Sequence, residues 1–292
     1  NNWTKAYDSL IKPLATDIEA IESQKAHYSE LESNYIKHNF LMFSALKERN
    51  LAYEDSSYPT KGINYALYVM QILSPVFLFI TVIFILSMLF TEPYHDKIDS
   101  QMNLPIGENK AIILNMFSGI IISAIIITSY SIIPFIIGAI FFGTGKLNYP
   151  ILSYDLSNNE MYFQNISKIF IPSLLLQILS CAFISILVYL IAYIFRDKLA
   201  TLFVSMMIII GLLLSVNVME PLQRVAQYLP TTYMNSVSIV TGEYGHEISN
   251  LSVSLNQGIY ILVTFIIVLL TLTVLVKHLK KYNFRRGNKL LS

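Results

Sequence analysis

Few residues of this 292-residue chain have the type and spacing that catalytic chemistry needs. Gly143-Thr144-Gly145-Lys146 suggests a phosphate loop, in which successive backbone N–H groups cradle phosphate. That loop requires Gly-x-x-x-x-Gly-Lys-Ser/Thr. Here Ile140 stands where the first Gly belongs, and Leu147 replaces the hydroxyl residue. The five histidines, at 27, 38, 95, 246 and 278, show no paired ligand spacing. No Gly-x-Ser-x-Gly turn is present to expose a nucleophilic serine. Cys181 is the single cysteine, so an internal disulfide and a multi-cysteine metal site are excluded. Its apolar neighbours make it a small buried filler.

The same reasoning applies inside the long apolar runs. Proton- or sodium-coupled transporters and intramembrane hydrolases place ionisable groups at membrane depth. Tyr65–Phe90, Ile112–Phe142, Ile169–Phe195, Leu199–Val218 and Gly258–Val276 contain no Asp, Glu, Lys, Arg or His. The polar residues left there are mild: Gln71, Asn115, Tyr130, Gln177, Asn217 and several Ser and Thr. Helix–helix hydrogen bonds, averaging about 0.6 kcal/mol each, are one use for them. Lining a passage for an amphipathic or lipidic substrate is the other. The chain therefore reads as a non-enzyme with no cofactor of its own. If it moves a substrate, another subunit supplies the work.

Composition sets the elements that hold these residues. The chain is 54% hydrophobic and 13% charged, with mean hydropathy +0.54. Soluble domains carry about 25% charged residues. A net charge of +1 provides no basic field for nucleic acid. Each of the five runs reaches the roughly 20 residues that cross a bilayer core. The expected fold is an all-α integral membrane protein with five spans in this chain plus a helical segment outside. The second run is long enough to tilt or break, with Pro134 as the expected kink.

Charge counting orients the spans, because Lys and Arg concentrate in short cytoplasmic loops. Segments 91–111, 196–198 and 277–292 hold Lys97, Lys110, Arg196, Lys198, Lys277, Lys280, Lys281, Arg285, Arg286 and Lys289. Segments 143–168 and 219–257 hold only Lys146, Lys168 and Arg224. The first set is expected inside, with 277–292 as a basic tail against anionic lipid. Residues 1–62 then lie outside. An additional N-terminal span, six in all, is the expected means of export, with a cleaved signal peptide as the alternative.

Two domains are expected, an extracellular helical segment over 1–62 and a transmembrane domain over 63–292. The first segment carries seven Lys and Arg against nine Asp and Glu. Leu14, Ile18 and Ile21, then Tyr28, Leu31, Tyr35, Met42 and Ala45, form a helical stripe that predicts a hairpin or stalk from Leu14 to about Glu54. Pro13 is expected to open it. His27 and His38 are expected to be solvated.

Residues 77–126, from Phe77 through "LFTEPYHDKIDSQMNLPIGENK" to Ile126, resemble the membrane subunits of type 2 ABC exporters. In that family a span ends in a cytoplasmic Glu, here Glu92. A short amphipathic helix and a Leu-Pro turn follow, here Leu104-Pro105. "MEPLQRVAQYLPTTYMNSVSIVTG" (219–242) resembles the family's outer segment, with Leu229, Pro230 and Tyr233 at the matching places. The chain departs from the pattern at Pro93, where Gly is usual, and at Gly107-Glu108-Asn109, where Arg is usual.

The resemblance implies a bacterial cell-membrane permease of the Gram-positive peptide-export or peptide-resistance type. It implies a dimer of membrane subunits above two ATPase subunits that carry ATP and Mg²⁺. The loop 91–111 would then dock on the ATPase. Ile98, Met102, Pro105 and Ile106 would form its apolar side, and Asp96, Lys97, Asp99, Glu108 and Lys110 its polar contacts. Segment 219–256 would dip into the membrane as an outer gate, with Glu220 and Pro221 at its start. Arg224 lies four residues after Glu220, the spacing of a helical ion pair. A non-transporting membrane scaffold or receptor with a helical stalk remains the alternative.

Overall fold

The computed structural model describes residues 3–23, 28–95, 98–99, 108–158 and 160–290. By packing, the chain forms two units. The first comprises 1–72, 131–173 and 237–252, and the second 73–130, 174–236 and 253–292. The sequence division at residue 62 therefore differs from the division by packing, which adds a span end, a hairpin and a late loop to the N-terminal segment.

The first unit opens with an antiparallel helix pair, α1 (Thr4–Glu22) and α2 (Glu30–Arg49). Ser29 starts α2 through a capping box: its hydroxyl accepts from the Glu32 N–H while Glu32 accepts from the Ser29 N–H. Asn50 ends the helix in the left-handed region. Tyr7 ties the pair down, donating to the Leu51 carbonyl at 2.8 Å and stacking on Phe43. Two expectations change here. Pro13 lies inside α1, which begins at Thr4. Leu31 and Tyr35 are 83% and 70% exposed, whereas Met42 of the expected stripe is buried together with Ile36 and Leu46. Helix α1 ends at Glu22 and α2 begins at Glu30, so the stripe read across Tyr28 does not belong to one helix.

The loop expected at 143–168 contains a β-hairpin, β3 (Pro150–Asp155) and β4 (Glu160–Asn165), paired from Pro150↔Asn165 to Asp155↔Glu160. Asp155 shapes its turn by accepting from the Ser157 N–H and hydroxyl. The hairpin packs on α2. The Gly-Thr-Gly stretch is a turn, with Gly143 and Gly145 at φ +90° and +79°. Its Gly143 and Thr144 carbonyls accept from the Gly62 and Ile63 N–H groups and so cap α3 (Gly62–Ile72).

The second unit carries most of the apolar length. The run expected to be one span over 65–90 is broken. After α3, Ser74–Leu78 form a π-helical turn, followed by α4 (Phe79–Thr91). Pro75 has no N–H, so the regular ladder loses a bond and the turn widens. By contrast, helix α5 (Glu108–Phe142) continues through Pro134, the expected kink.

Next come α6 (Ile166–Phe195), α7 (Lys198–Val218), the single turn α8 (Glu220–Gln223) and 3₁₀ turns at Ala226–Tyr228 and Pro230–Met234. The short helices α9 (Ser236–Val240) and α10 (Glu243–Glu247) precede α11 (Leu255–Leu290). Between α4 and α5 the described residues pair as β1 (Tyr94–His95) and β2 (Ile98–Asp99).

Five helical stretches have the length and hydropathy of membrane spans: Ser74–Thr91, Lys110–Phe142, Ile166–Phe195, Lys198–Val218 and Leu255–Leu279. The chain is a nearly all-α, multi-pass membrane protein. Its α6 window is 67% buried, against 22% for α5 and α11, so α6 is the central helix. On α5, Phe117, Ile121 and Ile125 recur every four residues on an exposed apolar stripe, which suits acyl chains rather than water. Inside, Gly119 admits close packing: a Cβ there would meet Phe90 and Ser185 side chains at 2.4 Å.

Candidate functional site

The charged end of the second unit is built where α4, α6 and α7 terminate or begin. Glu92 follows α4, and its carboxylate meets Lys198 Nζ at 3.4 Å. Asp197 caps α7 by accepting from the Ala200 N–H at 2.8 Å. Arg196 ends α6 at φ +53°, which turns its guanidinium over the Tyr94 ring at 5.3 Å and the Tyr193 ring at 5.9 Å. The start of the 91–111 segment is thus held to the α6–α7 connection by an ion pair and a cation–π contact. Both Glu92 and Lys198 are more than half exposed, so the ion pair contributes at most about 1 kcal/mol.

The rest of the expected docking loop is reached only in part. An amphipathic helix is expected directly after Glu92, but the described residues form the β1–β2 ladder, with Tyr94 opposite Asp99. Pro93 disfavours helix continuation there, having no N–H to donate. Asp96, Lys97, Met102, Leu104, Pro105 and Ile106 lie outside the described residues. Glu108 opens α5, and Lys110 is exposed on its first turn.

In the 219–236 segment, Pro221 sits in α8 and Arg224 meets Glu220 at 2.7 Å, as their spacing predicts. Both are about three-quarters exposed, which marks a surface pair. Leu229 is extended, and Pro230 starts the 3₁₀ turn that buries Tyr233 completely. The Tyr233 hydroxyl donates to the Gln227 carbonyl at 2.7 Å. Its ring occupies the space a Cβ at Gly258 would need, 2.4 Å away, so the segment is seated against α11.

The five polar span residues lie on four helices, α3, α5, α6 and α7. Gln177 is fully enclosed in α6, and neither end of its amide has a hydrogen-bond partner among the described residues. Asn115 and Tyr130 are half-buried on α5. Asn217 is exposed near the end of α7, its carbonyl accepting from Gln223. Gln71 belongs to the first unit, where its amide donates to Glu243 Oε2 at 2.7 Å.

That last contact opens onto a site the sequence reading missed. The first unit contains a cavity of about 520 Å³, bounded by α2, residues 53–59, α3, the β3–β4 hairpin and the start of α10. Two carboxylates serve it differently. Glu54 is 9% exposed and saturated: it accepts from the Thr60 N–H and hydroxyl, the Lys61 N–H at 2.7 Å and the Asn64 amide at 2.6 Å. It locks the turn that enters α3. Tyr149 braces the same turn, bonding both the N–H and the carbonyl of Glu54, and burial raises its phenol pKa.

Glu243 is less enclosed, and its carboxyl pKa is raised, first by desolvation and further by the Glu247 charge, against hydrogen bonds from Ser238 and Gln71. Gly242 aims it, at φ +75° with the Tyr154 carbonyl 2.4 Å from where a Cβ would sit. Tyr154 in turn donates its N–H to the Thr241 carbonyl and stacks on His246 at 4.3 Å.

His38, expected to be solvated, lines this cavity edge-on to Phe163 at 5.5 Å, and burial lowers its pKa. His27 lies outside the described residues. No cluster of three metal-binding side chains occurs among the described residues. Compared with family models, with curated proteins and with solved structures, the chain gives no match.

Proposed function

We infer that this chain is the membrane subunit of an ATP-driven exporter for a hydrophobic or amphipathic substrate such as a peptide, lipid or drug. The carrying observation is the contact at the α4, α6 and α7 ends, where Glu92–Lys198 and Arg196–Tyr94 hold the start of the 91–111 segment to two spans. A loop fixed in this way transmits a push from a docked ATPase to the helices, whereas a free tether would absorb it. The spans lack ionisable groups, which disfavours ion coupling and supports an external energy source. The chain has no phosphate-loop sequence, so ATP and Mg²⁺ belong to the partner ATPase. A second membrane subunit, identical or not, completes the proposed assembly.

The test is affinity purification of the full chain from its native membrane. An ATP-binding-cassette ATPase co-purifies, and reversing the charges of Asp96, Lys97 and Asp99 together releases it while the membrane protein stays folded. Purification with no ATPase, or an ATPase retained with coupled hydrolysis after charge reversal, overturns the reading. The ligand-sized cavity of the first unit favours one second reading, a non-transporting membrane receptor. That reading is supported if binding to the cavity occurs and no ATPase is found.

A further inference from the structure

We propose that the cavity of the first unit is a binding site for an organic ammonium group carried on an aromatic or aliphatic body. Its size, about 520 Å³, falls in the range of sites for small ligands. Three observations set the chemistry of the occupant. Among the lining residues there is no Lys or Arg, while Glu54, Asp55 and Glu243 are acidic. Glu54 is already saturated by donors from its own turn, and Asp55 is exposed to solvent and accepts from the Ser57 N–H, so Glu243 is the partly enclosed carboxylate offered to a ligand.

The second observation is independent of charge. Asn64 is 6% exposed and lines the cavity. Its Nδ2 donates to Glu54 at 2.6 Å, and a carboxylate only accepts, so the amide orientation is fixed. Asn64 Oδ1 is therefore a buried acceptor, and it has no partner in the structure. A buried acceptor without a donor costs about 1–3 kcal/mol; Oδ1 is covered from solvent here, so an ammonium N–H supplies that donor once the cavity wall shifts to admit it. An anion or a carbonyl cannot.

The third is the wall. Tyr58, Tyr68 and Phe163 bring aromatic rings, and Met42 and Leu67 aliphatic surface. Aromatic faces attract cations as well as burying apolar area. A carboxylate, an unpartnered acceptor and aromatic walls together select a positively charged amine with an apolar body. An amphipathic amine or basic peptide carries this group, as does an aminophospholipid headgroup. The proposal does not depend on transport or on any ATPase.

The experiment uses the full chain in dodecyl maltoside, a detergent without an ammonium group. The probe is the dipeptide amide of lysine and 4-fluorophenylalanine, followed by ¹⁹F NMR line broadening, and compared with its fully acetylated, uncharged form. The charged probe binds saturably and the acetylated form at least about tenfold more weakly, a difference ordinary for one ion pair. Glu243→Gln, which keeps an acceptor for Gln71, weakens the charged probe by a similar factor. Tyr58 is 78% exposed, so Tyr58→Lys leaves folding intact and puts a repelling charge at the site. It also weakens the charged probe and spares the acetylated one.

Added phosphatidylethanolamine that competes with the probe identifies a lipid headgroup as an occupant. Absence of competition points to free amines. Equal binding of the charged and acetylated probes, no saturable binding, or binding indifferent to both substitutions overturns the proposal.

Discussion

Two carboxylates that line one cavity, Glu54 and Glu243, have opposite jobs, and each gives a separate prediction. Glu54 holds a turn by accepting from four donors, two of them backbone N–H groups. Glu54→Ala leaves the buried Asn64 amide and the part-buried Thr60 and Lys61 N–H groups without this acceptor, which costs about 1–3 kcal/mol. Glu54→Gln keeps one acceptor and costs less. Thermal unfolding of the purified chain measures both, and equal, negligible shifts would show that the turn does not need the carboxylate. Glu243 carries a raised pKa, so the folded state binds its proton more tightly than the unfolded state. The stability this contributes is present below the ordinary value of 4.5 and is lost as pH rises through the raised value. Around it are Glu247 on the same helix, the Tyr154 phenol on β3, and the neutral donors Gln71 and Ser238. Glu243→Gln cannot ionise. It should gain stability relative to the parent as pH climbs above 4.5, and a pH-independent difference between the two melting curves would refute this. Neither residue stands out in the sequence. Glu54 reads as the end of a stalk and Glu243 as part of an outer gate segment, because the partners that define their roles, Tyr149 for Glu54 and Gln71 for Glu243, are about a hundred residues or more away in the chain.

At the scale of elements, the spans were legible and their joints were not. Uncharged runs of about twenty residues gave the five spans, since a bilayer core imposes length and composition on any helix that crosses it. The break at Leu73–Leu78 was hidden because hydropathy does not register a missing N–H. Pro75 widens one turn, whereas Pro134 and Pro172 are carried inside continuous helices. The β3–β4 hairpin was missed for a related reason: its alternation is weak, and its register depends on α2 and on the Thr241 carbonyl. Small residues mark another joint that local patterns do not reveal. The start of α3 crosses α5 so closely that a Cβ on Gly138 would lie 2.7 Å from Gly62 Cα, and one on Gly62 would lie 2.8 Å from the Phe135 carbonyl. These are backbone atoms and cannot swing aside. Gly138→Val should therefore destabilise the fold by about 3 kcal/mol or more, at the upper end of overpacking costs. Gly211→Val, on an open face of α7, is the control, since nothing lies within 4 Å of its added Cβ. Similar melting temperatures for the two variants would refute the close crossing.

At the scale of the whole molecule, charge counting and packing group the loops alike, although they are independent kinds of observation. Segment 1–62 and the cation-poor segment 143–168 pack with 237–252 in one unit through α2, the β3–β4 hairpin and the Tyr154–Thr241 bond. Segments that touch must lie on the same side of a bilayer. Residues 92–94, at the start of the 91–111 segment that carries Lys97 and Lys110, are likewise joined to 196–198, by Glu92–Lys198 and Arg196–Tyr94. Each of these two contacts joins segments that the Lys and Arg count expects on one side, 143–168 with 237–252 and 91–111 with 196–198, and 1–62 joins the first pair. Labelling with a membrane-impermeant maleimide tests the grouping. Cys181 is buried, so the parent chain gives little background. Ser57→Cys, Ser157→Cys and Ser252→Cys, all at exposed positions of the first unit, should label from a single side of the intact cell membrane. Lys198→Cys, also exposed, should label only after the other side is opened to the reagent. If Ser57→Cys and Ser157→Cys label from opposite sides, the packing of α2 on the hairpin is refuted. If those three agree but Lys198→Cys labels with them, the contacts stand and the charge rule fails for this chain. The two outcomes are distinct because contacts decide which loops share a side, whereas the distribution of Lys and Arg decides which side that is.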